Sequence, residues 1–276
     1  MSTAGWWEHP PLEPDPVLPE GTPQLVMFAT AVALHRVLVA QQTRPDALAG
    51  CSFGEIVACV AAGALSMADG VRAVCELVHV MRDYEGTGGM LLLYADAATT
   101  QCLLKELGLS RVVVSCRNGP RQTLVSGRSD ELDTVAAAAG VLGVRVSQLP
   151  MVRCLSHHPE ASAMADCYRQ RLGPLAQLPF RTPVFSPCAG RFYCDQDDLR
   201  SCIADNLCRP VNFTDALYEL EEMGASCFVE CGPPGGLAQA AVDTLTGACV
   251  HSPLRAPGRQ QVTSTIPDGA ERTCRL

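Results

Sequence analysis

The sequence predicts an α/β fold in which a large lobe, built on a mainly parallel sheet with helices on both faces, is interrupted by a small βαββαβ lobe. Three observations lead there. Apolar residues make up 47% of the 276 and charged residues only 18%, the composition of a folded chain with a sizeable core. Apolar strand-like runs alternate with runs of helical spacing, which implies parallel strands connected by helices. Residues 90–149 then place six short elements in the order strand, helix, strand, strand, helix, strand, the ferredoxin-like arrangement.

The elements follow in order. Residues 1–21 are Pro-rich and acidic and read as a loosely held tail. Residues 24–39 are strongly apolar with helical spacing, 41–45 form a polar break, and 45–49 make a short strand running into Gly50. Helix formers resume over 56–63, and a second helix spans 67–83, with Ser66 placed to cap its start and glycines over 86–89 beyond its end. The small lobe takes residues 89–150: strand 90–95, helix 98–107, strand 111–116, a turn at Asn118-Gly119-Pro120, strand 122–126, helix 130–139 and strand 144–149. The large lobe, begun over 22–88, resumes over 151–253. It holds a helix over 159–172, a Pro-flanked strand 183–186, helices 199–207 and 213–223, a strand 227–230, a tight turn over 232–236 and a last helix from Leu237. Residues 254–276 are polar without periodicity and read as a second tail.

Composition excludes several function classes. A net charge of −8 and a pI near 5.2 argue against nucleic acid, which needs clustered basic residues. The fifteen cysteines lie singly, with no Cys-x-x-Cys; this is poor spacing for zinc and no disulfide framework, so most read as small, reduced, buried residues, and no metal site is expected. No run reaches 18 uninterrupted apolar residues and no basic, apolar leader opens the chain, so a cytoplasmic monomer without a membrane segment is expected.

The chemistry concentrates at residues 50–55, Gly-Cys-Ser-Phe-Gly-Glu. A Gly on either side of Ser52 lets the chain turn from strand to helix within a few residues, exposing Oγ as a nucleophile. The following helix aims unpaired N–H groups at that oxygen, so the amide of Phe53 is a candidate oxyanion donor. The same pentamer also suits an ordinary Gly-punctuated turn. A serine needs a base, and histidine suits neutral pH. His157 and His158 sit where the small lobe returns to the large one, whereas His35 and His79 fall within helical patterns.

Taken with Ala61-Ala-Gly-Ala-Leu-Ser, Glu85-Gly-Thr-Gly-Gly-Met, Asn118-Gly-Pro, Val125-Ser-Gly, Pro210-Val-Asn-Phe and Val229-Glu-Cys-Gly-Pro, the hexamer resembles, in order and over about residues 22–245, the malonyl-CoA:acyl carrier protein transacylases and the acyltransferase domains of polyketide synthases. The resemblance implies an α/β-hydrolase-like large lobe with a ferredoxin-like insertion. It implies an acyl-Ser52 intermediate with a histidine base: Cys154-Leu-Ser-His157 matches the family's Tyr-Ala-Ser-His stretch, and another register would select His158. Gln24 resembles a pocket glutamine, and Cys51, Leu77, Asn118 and Ser156 fall at substrate-pocket positions of the match.

The departures shape the expected function. The family's early Phe-Pro-Gly-Gln-Gly segment, whose glutamine supplies half the oxyanion hole, has no counterpart before Thr22, and Cys51 stands where a histidine usually precedes the serine. Malonyl-selecting members carry an arginine where this sequence has Leu77 or, with a short gap, Cys75, so the resemblance implies a non-carboxylated acyl group moved between thioester carriers, acyl-CoA or acyl carrier protein, with no bound cofactor. An acyl-carrier hydrolase, with water as acceptor, and a catalytically silent carrier-binding scaffold are the rivals. Carriers are usually acidic, and Arg111, Arg117, Arg121, Arg128 and Arg145, in or beside the small lobe, are the candidates to receive one.

Overall fold

A computed structural model describes residues 19, 21–233, 236–255 and 261–263. Helix α1 (Thr22–Ala40) starts on Pro23 and is followed by strand β1 (Leu48–Ala49), α2 (Gly54–Ala61) and α3 (Met67–Asp83). Ser66 Oγ accepts the Asp69 amide at 3.0 Å, which fixes the start of α3 where the sequence places it. α1 is 19 residues long and apolar enough to cross a membrane by length and composition, yet Phe28, Ala31 and Val32 are buried, and it packs on α2 and α3. The contact is close: a Cβ on Gly70 of α3 would sit 2.5 Å from Val60 and 2.8 Å from Phe28.

The small lobe comprises β2 (Gly89–Leu93), α4 (Ala97–Glu106), β3 (Val113–Gly119), β4 (Gln122–Gly127), α5 (Ser129–Val141) and β5 (Val146–Gln148). Its antiparallel strands run β5-β2-β4-β3, the ferredoxin-like order. Period-2 alternation buries both faces. Leu91, Leu93 and Val125 join Leu104, Leu132 and Val135 under α4 and α5, while Met90, Leu124 and Cys116 face the large lobe and pack with Cys51.

The large lobe resumes with a 3₁₀ turn (Pro159–Ala161), α6 (Ser162–Leu172), β6 (Val184–Ser186), β7 (Arg191–Phe192), α7 (Leu199–Asp205), β8 (Val211–Asn212), α8 (Phe213–Glu222), β9 (Cys227–Val229), α9 (Leu237–Thr244), β10 (Cys249–His251) and β11 (Gln261–Thr263). Parallel pairs β1/β6 and β9/β10 are each extended by an antiparallel strand, β7 and β11, so each described three-stranded group is half parallel. Residues 261–263, within the stretch expected as a polar tail, thus form a strand, and the remainder of 254–276 beyond Arg255 lies outside the described residues, as do 1–18. Strand β8 leaves its own lobe and pairs parallel with β3, through Cys116↔Val211 and Arg117↔Asn212, which stitches the lobes together. The result is an α/β-hydrolase-like lobe with an inserted ferredoxin-like lobe.

The cysteine expectation needs correction. Among the described residues thirteen cysteines are free, in line with the expectation of reduced thiols, but only Cys59, Cys116 and Cys154 are buried, Cys102 and Cys194 are exposed, and Cys227 is disulfide-bonded.

Candidate active site

The placement of Ser52, the candidate nucleophile, follows from steric necessity at Gly50. A Cβ there would lie 2.3 Å from the carbonyl carbon and oxygen of Gly54, so the strand passes against the helix it feeds and only glycine fits. Gly54 has open space around its missing Cβ; the two glycines of the pentamer are not equivalent. Between them the chain reverses: Ser52 takes φ 56°, and the carbonyls of Cys51, Ser52 and Phe53 accept from the amides of Gly54, Glu55 and Ile56. The Phe53 amide takes no partner among the described residues.

His157 is presented from the loop entering the 3₁₀ turn and also has a left-handed φ, 53°. Its loop is anchored at the lobe junction, with the Leu155 amide on Thr87 Oγ1, just before β2, and the Ser156 amide on Ser126 Oγ of β4, both 3.2 Å. The imidazole is 4% exposed. Nδ1 lies 3.1 Å from the Arg209 carbonyl, which can only accept, so Nδ1 carries the proton and Nε2 presents its lone pair to Ser52 Oγ at 2.7 Å. Burial outweighs the backbone carbonyls of Arg209 and Asn206 and pushes its pKa down to about 4, so the ring is neutral at pH 7.

The adjacent His158 has both nitrogens committed. Nδ1 accepts the Glu160 amide at 3.0 Å, capping the 3₁₀ turn, and Nε2–H donates to the Arg111 carbonyl at 2.9 Å. Of the two histidines that the sequence left as alternatives, His157 is the one whose ring meets Ser52 Oγ.

The other predicted positions divide. Cys51 Sγ approaches Asn118 Oδ1 at 3.9 Å, which sets the β3–β4 hairpin beside the elbow; burial pushes the thiol up to about 12, so it is no rival nucleophile. Gln24 lies in the first turn of α1, with Oε1 buried and unpartnered. Ser156 is buried with Oγ 3.7 Å from Cys154 Sγ, and Leu77 sits in the large-lobe core, 8% exposed. Arg72, near Leu77 in sequence, spends its guanidinium on Asp69 and on the carbonyls of Leu172, the last residue of α6, and Pro174 just after it.

Three of the five small-lobe arginines are engaged elsewhere. Arg111 pairs with Glu160 at 2.9 Å, Arg128 lies 3.6 Å from Asp130, and Arg145 stacks 3.6 Å over the Tyr94 ring. Arg117 and Arg121 have no ion pair among the described residues. A cavity of about 670 Å³ lined by Leu104, Lys105, Val114, Arg117, Pro210 and Asn212 borders the β3/β8 pair, and neither Ser52 nor His157 lines it. Cys227, Cys249 and His251 converge with ligand atoms within 4.8 Å, but the disulfide removes Cys227 as a thiolate ligand.

Sequence reasoning missed the residues that hold the histidine. The Arg209 carbonyl that meets Nδ1 carries no side-chain signature, and the partners of Glu55, Ser186 and Tyr193, lie far from the hexamer in sequence.

Comparison with known proteins is consistent with this architecture. The family model described as "Acyl transferase domain" matches residues 21–266. The spectinabilin polyketide synthase system protein NorA' of Streptomyces orinoci is 32% identical over 228 residues, covering 81% of this chain and 6% of that protein. The acyltransferase domain from module 8 of the salinomycin polyketide synthase superposes with a TM-score of 0.78 at 28% identity, over 85% of this chain and 56% of the other. Malonyl-CoA:acyl carrier protein transacylase from Xanthomonas oryzae pv. oryzae gives 0.76 at 28% identity, over 84% of this chain and 76% of the other. This chain thus spans a small fraction of the length of the synthase it matches. With the family model aligned across both lobes and over the Ser52 elbow, the chain belongs to the acyl transferase domain family.

Proposed function

We propose that the protein transfers a non-carboxylated acyl group between thioester carriers through an acyl-Ser52 intermediate. The observation that carries this reading is the 2.7 Å contact between Ser52 Oγ and the unprotonated Nε2 of a buried, neutral His157. As Oγ attacks the thioester carbonyl, Nε2 takes its proton, and the Phe53 amide donates to the developing oxyanion. The C–S bond breaks, the imidazolium returns the proton to the departing thiolate, and Ser52 holds the acyl group as an ester. A second thiol, deprotonated by the same Nε2, attacks the ester and leaves with the acyl group, regenerating the serine. The chemistry needs no bound metal or redox cofactor; acyl-CoA and a phosphopantetheinyl carrier protein are the substrates and partners, and one chain holds both reacting residues.

Selectivity against carboxylated groups rests on Leu77 and Arg72. The first is apolar and the second has its guanidinium taken up by carbonyls and Asp69, so neither offers a carboxylate a partner. Leaving a carboxylate buried and unpaired costs about 3 to 5 kcal/mol, more than 100-fold in rate. A radiolabelled acetyl or propionyl thioester, incubated with and without a second holo-carrier, tests the reading. Label should move to the added carrier, and malonyl thioesters should transfer at least about 100-fold more slowly. Release of free acid at the same rate with or without acceptor would make the protein a hydrolase.

A further inference from the structure

We infer that Cys227, Cys249 and His251 form a zinc site that becomes available when the Cys227 disulfide is reduced. The three residues stand apart from Ser52 and His157, and the site does not depend on the acyl-transfer reading.

The sequence spaces its cysteines singly, so no local motif announces these ligands; sheet pairing brings them together. Strands β9 and β10 run parallel, with Cys227 opposite Cys249 and Val229 opposite His251. The register is pinned at both ends, by the Cys249 amide on the Ser226 carbonyl at 2.9 Å and the Glu230 amide on the His251 carbonyl at 2.8 Å. Successive side chains of a strand point to opposite faces. Val250, 1% exposed, and Phe228 pack into the apolar cluster with Ala241 and Leu245, so Cys227, Cys249 and His251 share the other face.

The donor set suits zinc. One ligand atom from each residue lies within 4.8 Å of the other two, and Cys249 Sγ is 3.1 Å from His251 Nε2. Tetrahedral zinc, with bonds of about 2.0 to 2.3 Å, holds such atoms about 3.3 to 3.8 Å apart, so small side-chain rotations close the set on one ion. Thiolate and imidazole are donors that zinc takes and that magnesium and calcium do not. Glu230, next to β9 in sequence, is engaged by the Ala238 amide and the Ser252 hydroxyl. The fourth position therefore goes to water, and Cys227 and Cys249 are only half-buried, which leaves the ion a path in.

The disulfide decides whether the site exists. A sulfur held in a disulfide offers no thiolate, and the two donors that remain are too few for zinc. A dithiol reductant supplies the two electrons. One of its sulfurs attacks the disulfide, the second closes on the first as the mixed disulfide breaks, and its two protons pass to Cys227 and its former partner. Zinc then displaces the thiol protons of Cys227 and Cys249 and binds the neutral imidazole, so two thiolates balance one dication.

Cobalt(II), which takes the same donors and reports them optically, tests the site. Protein treated with a dithiol reductant and then freed of it should take up about one equivalent, with the visible bands of a tetrahedral ion and a thiolate charge-transfer band in the near ultraviolet. Zinc should displace the cobalt, and protein left oxidised should show neither band. Cys249→Ser and His251→Ala should each weaken zinc binding, measured against a chromophoric chelator, at least about 100-fold. Cys102→Ser/Cys194→Ser removes two exposed thiols and should leave zinc affinity within about twofold. Zinc should also slow alkylation of Cys227 and Cys249 in the reduced wild type, read by peptide mass, which decides the matter even if a variant fails to fold. A cobalt spectrum without the thiolate band, alkylation equally fast with and without zinc, equal uptake by oxidised protein, or binding lost in the exposed-thiol variant would overturn the inference. None of these signals depends on turnover, so their failure leaves the acyl-transfer reading standing.

Discussion

Ser52 Oγ and His157 Nε2 lie 2.7 Å apart, and both residues hold left-handed backbone conformations, φ 56° and 53°. Of the described non-glycine residues only Gln42 shares that region. Such a φ costs about 1 to 3 kcal/mol per residue, so the fold pays to bring these side chains together. Ser52→Gly should relieve the strain that Ser52→Ala keeps. The glycine variant is expected to be the more stable of the two by about 1 kcal/mol in urea unfolding, with acylation lost in both.

Gly50 and Gly54 should answer oppositely to alanine. At Gly50 the new methyl meets Gly54 backbone at 2.3 Å, and the elbow must move; activity should fall at least about 100-fold, with clear destabilisation. At Gly54, the first residue of α2, nothing lies within 4 Å, and alanine should preserve activity and raise stability by about 0.5 to 1 kcal/mol. Thermal melts and transfer assays on the two variants check this.

Burial of His157 makes stability fall with acid. The ring titrates at about 4 in the folded protein and near 6.5 when unfolded, so between those values the unfolded chain binds a proton that the native site refuses. The stabilisation is full above pH 6.5 and is lost as pH falls toward 4, a total on the order of 3 kcal/mol. Denaturant unfolding at pH 7 and 4.5 should show wild type losing about 2 kcal/mol more than His157→Gln. The acylation rate should stay flat from pH 8 to about 5 and drop as the free base is lost below that.

Arg117 and Arg121, unlike Arg111, Arg128 and Arg145, have no acidic or aromatic partner among the described residues. They flank Asn118 and the β3–β4 hairpin tip beside Cys51, which makes them the candidates for carrier docking. Arg117→Glu/Arg121→Glu should raise KM for the carrier protein about tenfold at low salt and leave KM for acyl-CoA within about twofold, while Arg145→Glu should do neither.

Much of this arrangement was legible in the sequence where the signal is local. Helix α3 was readable because Ser66 caps an amphipathic run, and the small lobe because its six elements follow in chain order. Two-residue strands such as β7 and β8 carry too few side chains for a period, and the β3/β8 pairing joins residues that nothing in the sequence relates. The same limit applied at the site. The elbow is local and announced itself, but the choice of His157 over His158 depends on which carbonyls and amides meet each ring, and the commitments of Arg72, Arg111 and Arg145 depend on partners brought by folding.

The most direct test is the intact mass of the protein after brief exposure to acetyl and propionyl thioesters. Wild type should gain one acyl group, Ser52→Ala none, and His157→Ala should gain it at least about 100-fold more slowly. An adduct that persists in Ser52→Ala, or a wild type that no thioester modifies, would contradict the acyl-Ser52 account.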